Sequence, residues 1–163
     1  MALEIERKFL VTADAWRPQV ERCIEMRQGY LSGGEGLASV SVRIEGERAN
    51  LNVKAAVVGS ARAEYEYGIA LSEAREMLAT LCVGRVEKIR HYVPIAGAAE
   101  VWEVDEFLGD NAGLVVAEIE LPTPDHAFVR PPWLGRELTD ERRWYNHALA
   151  LRPYAQWSAE ERA

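Results

Sequence analysis

Strict alternation between apolar and charged residues recurs in seven short segments, and it limits what this chain can fold into. Leu3-Glu4-Ile5-Glu6-Arg7-Lys8-Phe9 alternates throughout except at Arg7. Residues 40–44, 51–54, 64–67, 102–105 and 117–121 do the same, and residues 86–90 do so less regularly. A period of two is the mark of a strand with two unlike faces. Residues 26–31 add a further segment, so we expect about eight strands of ordinary length. Sorted by face, one set is apolar. The other holds Glu4, Glu6, Lys8, Ser41, Arg43, Asn52, Lys54, Glu64, Glu66, Lys88, Arg90, Glu103, Asp105, Glu118 and Glu120, which is eight carboxylates and five cations.

Two architectures fit this face. One is an open antiparallel sheet whose charged side meets water, with charges paired across strands. The other is a closed barrel with a charged lumen and an apolar outside covered by helices. Three features favour the lumen. Glu-x-Glu occurs at Glu4/Glu6, Glu64/Glu66 and Glu118/Glu120, with Glu103/Asp105 as a fourth acidic pair. Like charges two apart repel, so folding gains nothing from them unless a cation fills the gap. Thr and Gln, common on solvent-facing strands, are nearly absent from these positions. Carboxylate oxygens suit hard divalent cations, and magnesium is usually held by a few carboxylates together with phosphate and water. Arg and Lys suit phosphoryl oxygens. The combination fits a metal-bound polyphosphate gripped by strand side chains. Gly33-Gly34-Glu35-Gly36 has neither the Lys nor the spacing of a phosphate-binding glycine loop.

Several of these segments, taken in order, resemble one family. Glu4-Ile5-Glu6-Arg7-Lys8 resembles the N-terminal Glu-x-Glu-x-Lys signature of the CYTH superfamily, the triphosphate tunnel metalloenzymes. Arg27-Gln28-Gly29-Tyr30-Leu31, Arg43, Lys54, Arg62-x-Glu64-Tyr65-Glu66, Lys88-Ile89-Arg90, Glu103-Val104-Asp105, Glu118-Ile119-Glu120 and residues 138–150 resemble its later motifs. The resemblance implies an α+β, mainly β fold: an eight-stranded antiparallel barrel with a few peripheral helices. It implies a small-molecule triphosphate as substrate and Mg²⁺ or Mn²⁺ as cofactor. The short architecture and Pro131-Pro132-Trp133-Leu134-Gly135 are similar to the inorganic triphosphatases, which release orthophosphate and pyrophosphate from tripolyphosphate. On this reading Lys8, Arg43, Lys54, Lys88, Arg90 and Arg143 hold the triphosphate. Glu4, Glu6, Glu118 and Glu120 hold a metal, and Glu64, Glu66, Glu103 and Asp105 place a second metal or orient water. Lys8, Glu4 and Glu6 are the catalytic set. Ser41 departs from the Arg-x-Arg of many relatives, with Arg48 or Arg62 as substitutes for the missing contact, and His147 stands where some relatives have Lys. Class IV adenylate cyclase, thiamine triphosphatase (with Trp16 or Trp133 against the thiazolium) and a polyphosphate-binding module without turnover are the competing functions.

The remaining features bound the answer. A chain of 163 residues fits one domain, placed at residues 1–157 with a frayed tail at 158–163. Net charge −7 argues against a general nucleic-acid binder or an anionic membrane surface as partner. A homodimer stays open. Cys23 and Cys82 form neither a zinc pattern nor a disulfide framework, and with no secretory segment in MALEIERKFL we expect a cytoplasmic protein. We expect helices starting at Ser72 as N-cap, at Thr123-Pro124-Asp125, at Thr139 and at Asn146. His91, His126, Tyr65, Tyr67, Trp102, Trp133, Trp144 and Trp157 read as surface or packing residues, the two tyrosines among the packing ones.

Overall fold

Strands β1 (Leu3–Val11), β2 (Arg22–Tyr30), β3 (Ala38–Glu45), β4 (Arg48–Ala55), β5 (Ala61–Ile69), β6 (Gly84–Pro94), β7 (Val101–Phe107), β8 (Val115–Glu120) and β9 (Leu134–Glu137) carry the fold in the computed structural model, which describes residues 2–163. Helices α1 (Leu71–Thr80) and α2 (Asn146–Leu151) complete it, with several 3-10 turns. Eight strands form a closed antiparallel ring in the order β1-β5-β4-β3-β2-β6-β7-β8 and back to β1. All eight expected strands are present. The ninth was not anticipated, because four residues give too short a stretch for alternation to register.

β1 is the closing strand. One edge pairs with β8 over Glu6–Leu10. The other pairs with β5 only over Leu3–Ile5, and then with β9 at Phe9 and Val11. Gly135 permits that second contact, since a Cβ there would lie 2.6 Å from the Leu10 carbonyl oxygen. β9 also explains the break in alternation at Arg7. Its outward guanidinium pairs with Glu137 through Nε at 2.8 Å and Nη2 at 2.5 Å.

The outward apolar faces are covered in two ways. Val42, Ile44 and Ala49 on β3 and β4 pack under Ala74 and Leu78 of α1. Phe9, Val104, Ala117 and Ile119 lie beneath Trp16 and Trp133, which come from loops rather than helices. α1 stops short of Tyr65 and Tyr67, which are 39% and 56% exposed instead of packed as the alternation suggested. α1 itself starts at Leu71 with Ala70 as N-cap and no side-chain cap, so Ser72 lies inside the first turn. The segment at Thr123-Pro124-Asp125 makes bends and turns instead of a helix, and Thr139 opens a turn before the short 3-10 segment Arg142–Trp144. The closing residues 158–163 form turns, with Glu161 paired to Arg152 and Arg162 donating to the Tyr154 carbonyl at 3.0 Å.

The lumen is charged over only part of its length. Along the faces that carry the charges, β1, β2, β6, β7 and β8 continue to Leu10, Tyr30, Val86, Phe107 and Val116. These pack with Leu138, Trp144, Leu149 and Trp157, so an apolar plug built on α2 closes one end. Gly84 lets α2 come close: a Cβ there would sit 2.4 Å from the Ala150 carbonyl oxygen. Backbone cannot yield as a flexible side chain can, so Gly84→Ala should destabilise by about 1–3 kcal/mol. The expected readout is a melting temperature lower by about 2–4 °C for each kcal/mol. Gly33→Ala, where a Cβ meets nothing within 4 Å, is the matched control. Equal melting temperatures for the two variants would contradict the close approach.

Candidate active site

Above the plug the lumen forms a chamber of about 200 Å³. Its wall includes Glu4, Glu6, Arg43, Lys54, Glu64, Glu66, Lys88, Arg90, Glu103, Glu118 and Glu120, all from the face sorted out by alternation. Lys8 lies beside it in a small cleft with Glu6, Ser60, Arg62, Thr139 and Tyr145. Asp105 is fully buried behind the wall. Arg143 is outside: it pairs with Glu141 at 3.3 Å and lies over the Trp144 and Trp157 rings. It lies in the 3-10 segment Arg142–Trp144, where strand alternation has no bearing on direction.

The carboxylates fall into two groups. Asp105 accepts from Lys88 at 2.7 Å and from both Arg90 Nε and Nη2, at 2.7 and 2.8 Å. Glu118 takes Lys8 at 2.9 Å and Arg90 at 3.4 Å. Burial works against their ionisation, but Lys8, Arg90 and Lys88 hold Glu118 well below the usual carboxylate range, and Arg90 and Lys88 hold Asp105 low. Lys88 is itself pushed down by burial and Arg90 despite Asp105. These groups pair closely with one another.

Glu4, Glu6 and Glu120 are different. One oxygen from each lies within 4.8 Å of the others. Among the described residues Glu120 has no cation within 4.0 Å, and Glu6 has only Arg62, at 4.0 Å. Burial, with Glu118 and Glu4 nearby, pushes Glu6 up to about 8. Glu120 is raised by burial and by Glu4 and Glu118. Glu4 is raised by burial and by a hydrogen bond shared with Glu64, which in turn pulls Glu64 down against its own burial. Lys54, 3.2 Å from Glu4 and 3.0 Å from Glu64, is held above its ordinary value by Glu4 and Glu6 in spite of burial. Three crowded hard oxygen donors, two of them without a close cation, suit a divalent cation. Glu118, expected as a fourth ligand, is already committed to Lys8 and Arg90.

Arg62 joins the chamber, 3.4 Å from Glu4, whereas Arg48 is exposed and does not line it. Its signal was present, because Arg62 shares the face of Glu64 and Glu66. Gln28, Tyr30, Ser39, Glu45 and Tyr92 also line the chamber. Ser39 and Glu45 extend the alternation of Ser41 and Arg43, and Tyr92 that of Lys88 and Arg90, by one step each, while Met26 blurs the pattern before Gln28 and Tyr30. Tyr145, Asn146 and His147 come from the start of α2, where no strand period could reveal them. Ser41 is buried and accepts from Gln28 Nε2 at 3.0 Å. Trp16 and Trp133 are in the outer core, away from the lumen. His91 faces outward against Trp16 and Glu106.

The relationship to known proteins agrees with this architecture. Residues 2–149 match the model of the CYTH domain. An inorganic triphosphatase of Acetivibrio thermocellus is 44% identical over 155 residues, covering 94% of this chain and 97% of that protein. One from Nitrosomonas europaea is 37% identical over 152 residues, covering 91% and 97%. The crystal structure of the inorganic triphosphatase NE1496 superposes with a TM-score of 0.67 at 33% identity, over 91% of this chain and 97% of that one. By its fold, its charged lumen and these matches, the chain belongs to the CYTH domain family.

Proposed function

We propose that this protein hydrolyses inorganic triphosphate to pyrophosphate and orthophosphate in the chamber, with Mg²⁺ or Mn²⁺ held by Glu4, Glu6 and Glu120. The observation that carries the reading is a crowded carboxylate trio, of which Glu6 and Glu120 lack a close cation partner, set beside a ring of cations in one chamber wall. The matched inorganic triphosphatases support it as well. When bound, the metal would neutralise phosphate oxygens and draw charge from the leaving group. The protein's share is positioning. Arg43, Lys54, Arg62, Lys88 and Arg90 present N–H donors to the phosphate chain from the wall, with Lys8 adjoining. Glu103, which lines the chamber and pairs with Arg90, is placed to orient the attacking water and take its proton. Asp105 acts by holding Lys88 and Arg90 in place. Phosphoryl transfer asks little covalent chemistry of the protein, so positioning and charge neutralisation provide most of the effect. The free cysteines, Cys23 and Cys82, support the cytoplasmic setting we assign.

Incubating the protein with tripolyphosphate, ATP and thiamine triphosphate, each with Mg²⁺, Mn²⁺ or EDTA, tests the reading. Orthophosphate from tripolyphosphate is expected with either metal and should vanish in EDTA. Cyclic AMP from ATP, or tight binding without product, would overturn it. Glu6→Gln keeps the shape and removes one donor charge. It should lower phosphate release by about 100-fold or more, on the scale of losing about 3 kcal/mol of transition-state stabilisation, with an unchanged circular dichroism spectrum. Lys8→Ala is a less clean probe, because removing one partner from a buried pair costs stability on its own. Arg143→Ala should keep kcat/KM within about threefold of wild type, since that side chain is outside the chamber. A large loss there would return Arg143 to the phosphate-binding set.

A further inference from the structure

Tyr145 stands at the seam between β1 and β5, the shortest strand pairing in the ring. β1 leaves β5 after Ile5, and the last backbone bond across that seam is Glu6 N–H to the Ser60 carbonyl at 2.8 Å. Beyond it, side chains take over the closure. The Tyr145 hydroxyl accepts from the Gly59 N–H at 3.0 Å and donates to the Thr139 carbonyl. Thr139 Oγ1 in turn accepts from the Lys8 N–H at 3.0 Å. One hydroxyl therefore ties the turn before β5, the segment after β9 and the start of α2 to the closing strand. The ring is almost buried and lines both the chamber and the cleft that holds Lys8.

Two cations use that ring. The Lys8 ammonium is 5.4 Å from its centroid and the Arg62 guanidinium carbon is 5.3 Å away. Lys8 and Arg62 repel each other, and the ring adds to the carboxylates an attraction that holds both on one side of the lumen. Lys8 already donates to Glu118 at 2.9 Å and Arg62 to Glu4 at 3.4 Å, and a further carboxylate in that place would occupy the N–H donors that remain. An aromatic face attracts cations through its quadrupole and takes no N–H donor, which leaves those remaining donors free for an anion. Each such contact is worth about 0.5–2 kcal/mol, more as water is excluded.

We propose that Tyr145 is a positioning residue whose ring sets Lys8 and Arg62 toward the phosphate chain and whose hydroxyl fixes the ring. This rests on the triphosphate reading above, and it acts on the cation side of the site only. The test uses the full chain as wild type, Tyr145→Phe and Tyr145→Leu. Three quantities are measured: Mn²⁺ affinity without substrate, tripolyphosphate affinity by calorimetry with Mn²⁺ present, and steady-state KM and kcat.

In Tyr145→Leu, tripolyphosphate affinity should fall and KM should rise by about tenfold, the equivalent of about 1.4 kcal/mol. kcat should fall less than KM rises, and Mn²⁺ affinity should stay at the wild-type value. Tyr145→Phe, which keeps the ring, should restore KM to within about threefold of wild type. Should Tyr145→Leu fail to fold, Tyr145→Met fills the volume without an aromatic face and carries the same expectations. The proposal is overturned if Phe is as damaging as Leu, if Leu leaves tripolyphosphate affinity unchanged, or if Mn²⁺ affinity falls in step with it. Wild type that binds tripolyphosphate without hydrolysing it would remove the hydrolase reading. The affinity series would still decide the role of Tyr145. Wild type that neither binds nor hydrolyses removes both.

Discussion

Burying many charged groups in one small lumen is the constraint on which the rest of this structure depends. A carboxylate taken out of water is costly unless it is paired, and a pair is tolerable only when its geometry and further hydrogen bonds are good. The wall meets this with a tight cluster: Lys88, Arg90 and Lys8 share Asp105 and Glu118 at short distances. That cluster leaves Glu6 and Glu120 short of positive charge beside Glu4, which Lys54 and Arg62 reach. The deficit is local and directed at the open part of the lumen. It explains how a chain of net charge −7 can suit a polyanion, because the excess acid defines where a cation belongs and the cations around it remain available to phosphate.

The fold serves this arrangement through its closing strand. β1 carries Glu4, Glu6 and Lys8 inward and has to satisfy two edges. Three partners share that work, with β5 and β9 dividing one edge between them. The apolar plug built on α2 keeps the far end dry and brings Tyr145, Asn146 and His147 to the chamber. Asn146 receives Lys88 at 3.1 Å, so the plug also touches the charge cluster. His147 stacks on Tyr30 with ring centroids 4.4 Å apart and approaches the Ser32 carbonyl at 2.9 Å.

Alternation alone was enough to place Glu4, Glu6, Lys54, Glu64, Lys88, Arg90, Glu103 and Glu118 on a common inner face. Side-chain direction in a strand has a period of two whatever the strand packs against. Composition and spacing also carried the pairing of hard acids with phosphate-binding cations, and hence the class of ligand. The ordered motifs added the family. None of these inferences required knowing which strand neighbours which.

Tertiary structure decided the rest, because the rest depends on distances between segments far apart in the chain. Glu120 rather than Glu118 joins Glu4 and Glu6, since Lys8 and Arg90 reach Glu118 first. Asp105 is enclosed by Lys88 and Arg90 from a neighbouring strand. Tyr65 and Tyr67 stay exposed because α1 lies over β2, β3 and β4 and leaves the middle of β5 uncovered. Arg143 leaves the site and Tyr145 enters it two residues later, because they lie outside any strand and packing alone sets their direction. The sequence by itself determined which residues share a face and what chemistry they can offer. Only the closed barrel decided which of those charges neutralise one another and which are left for a ligand, because Coulomb energy depends on separation in space and not along the chain.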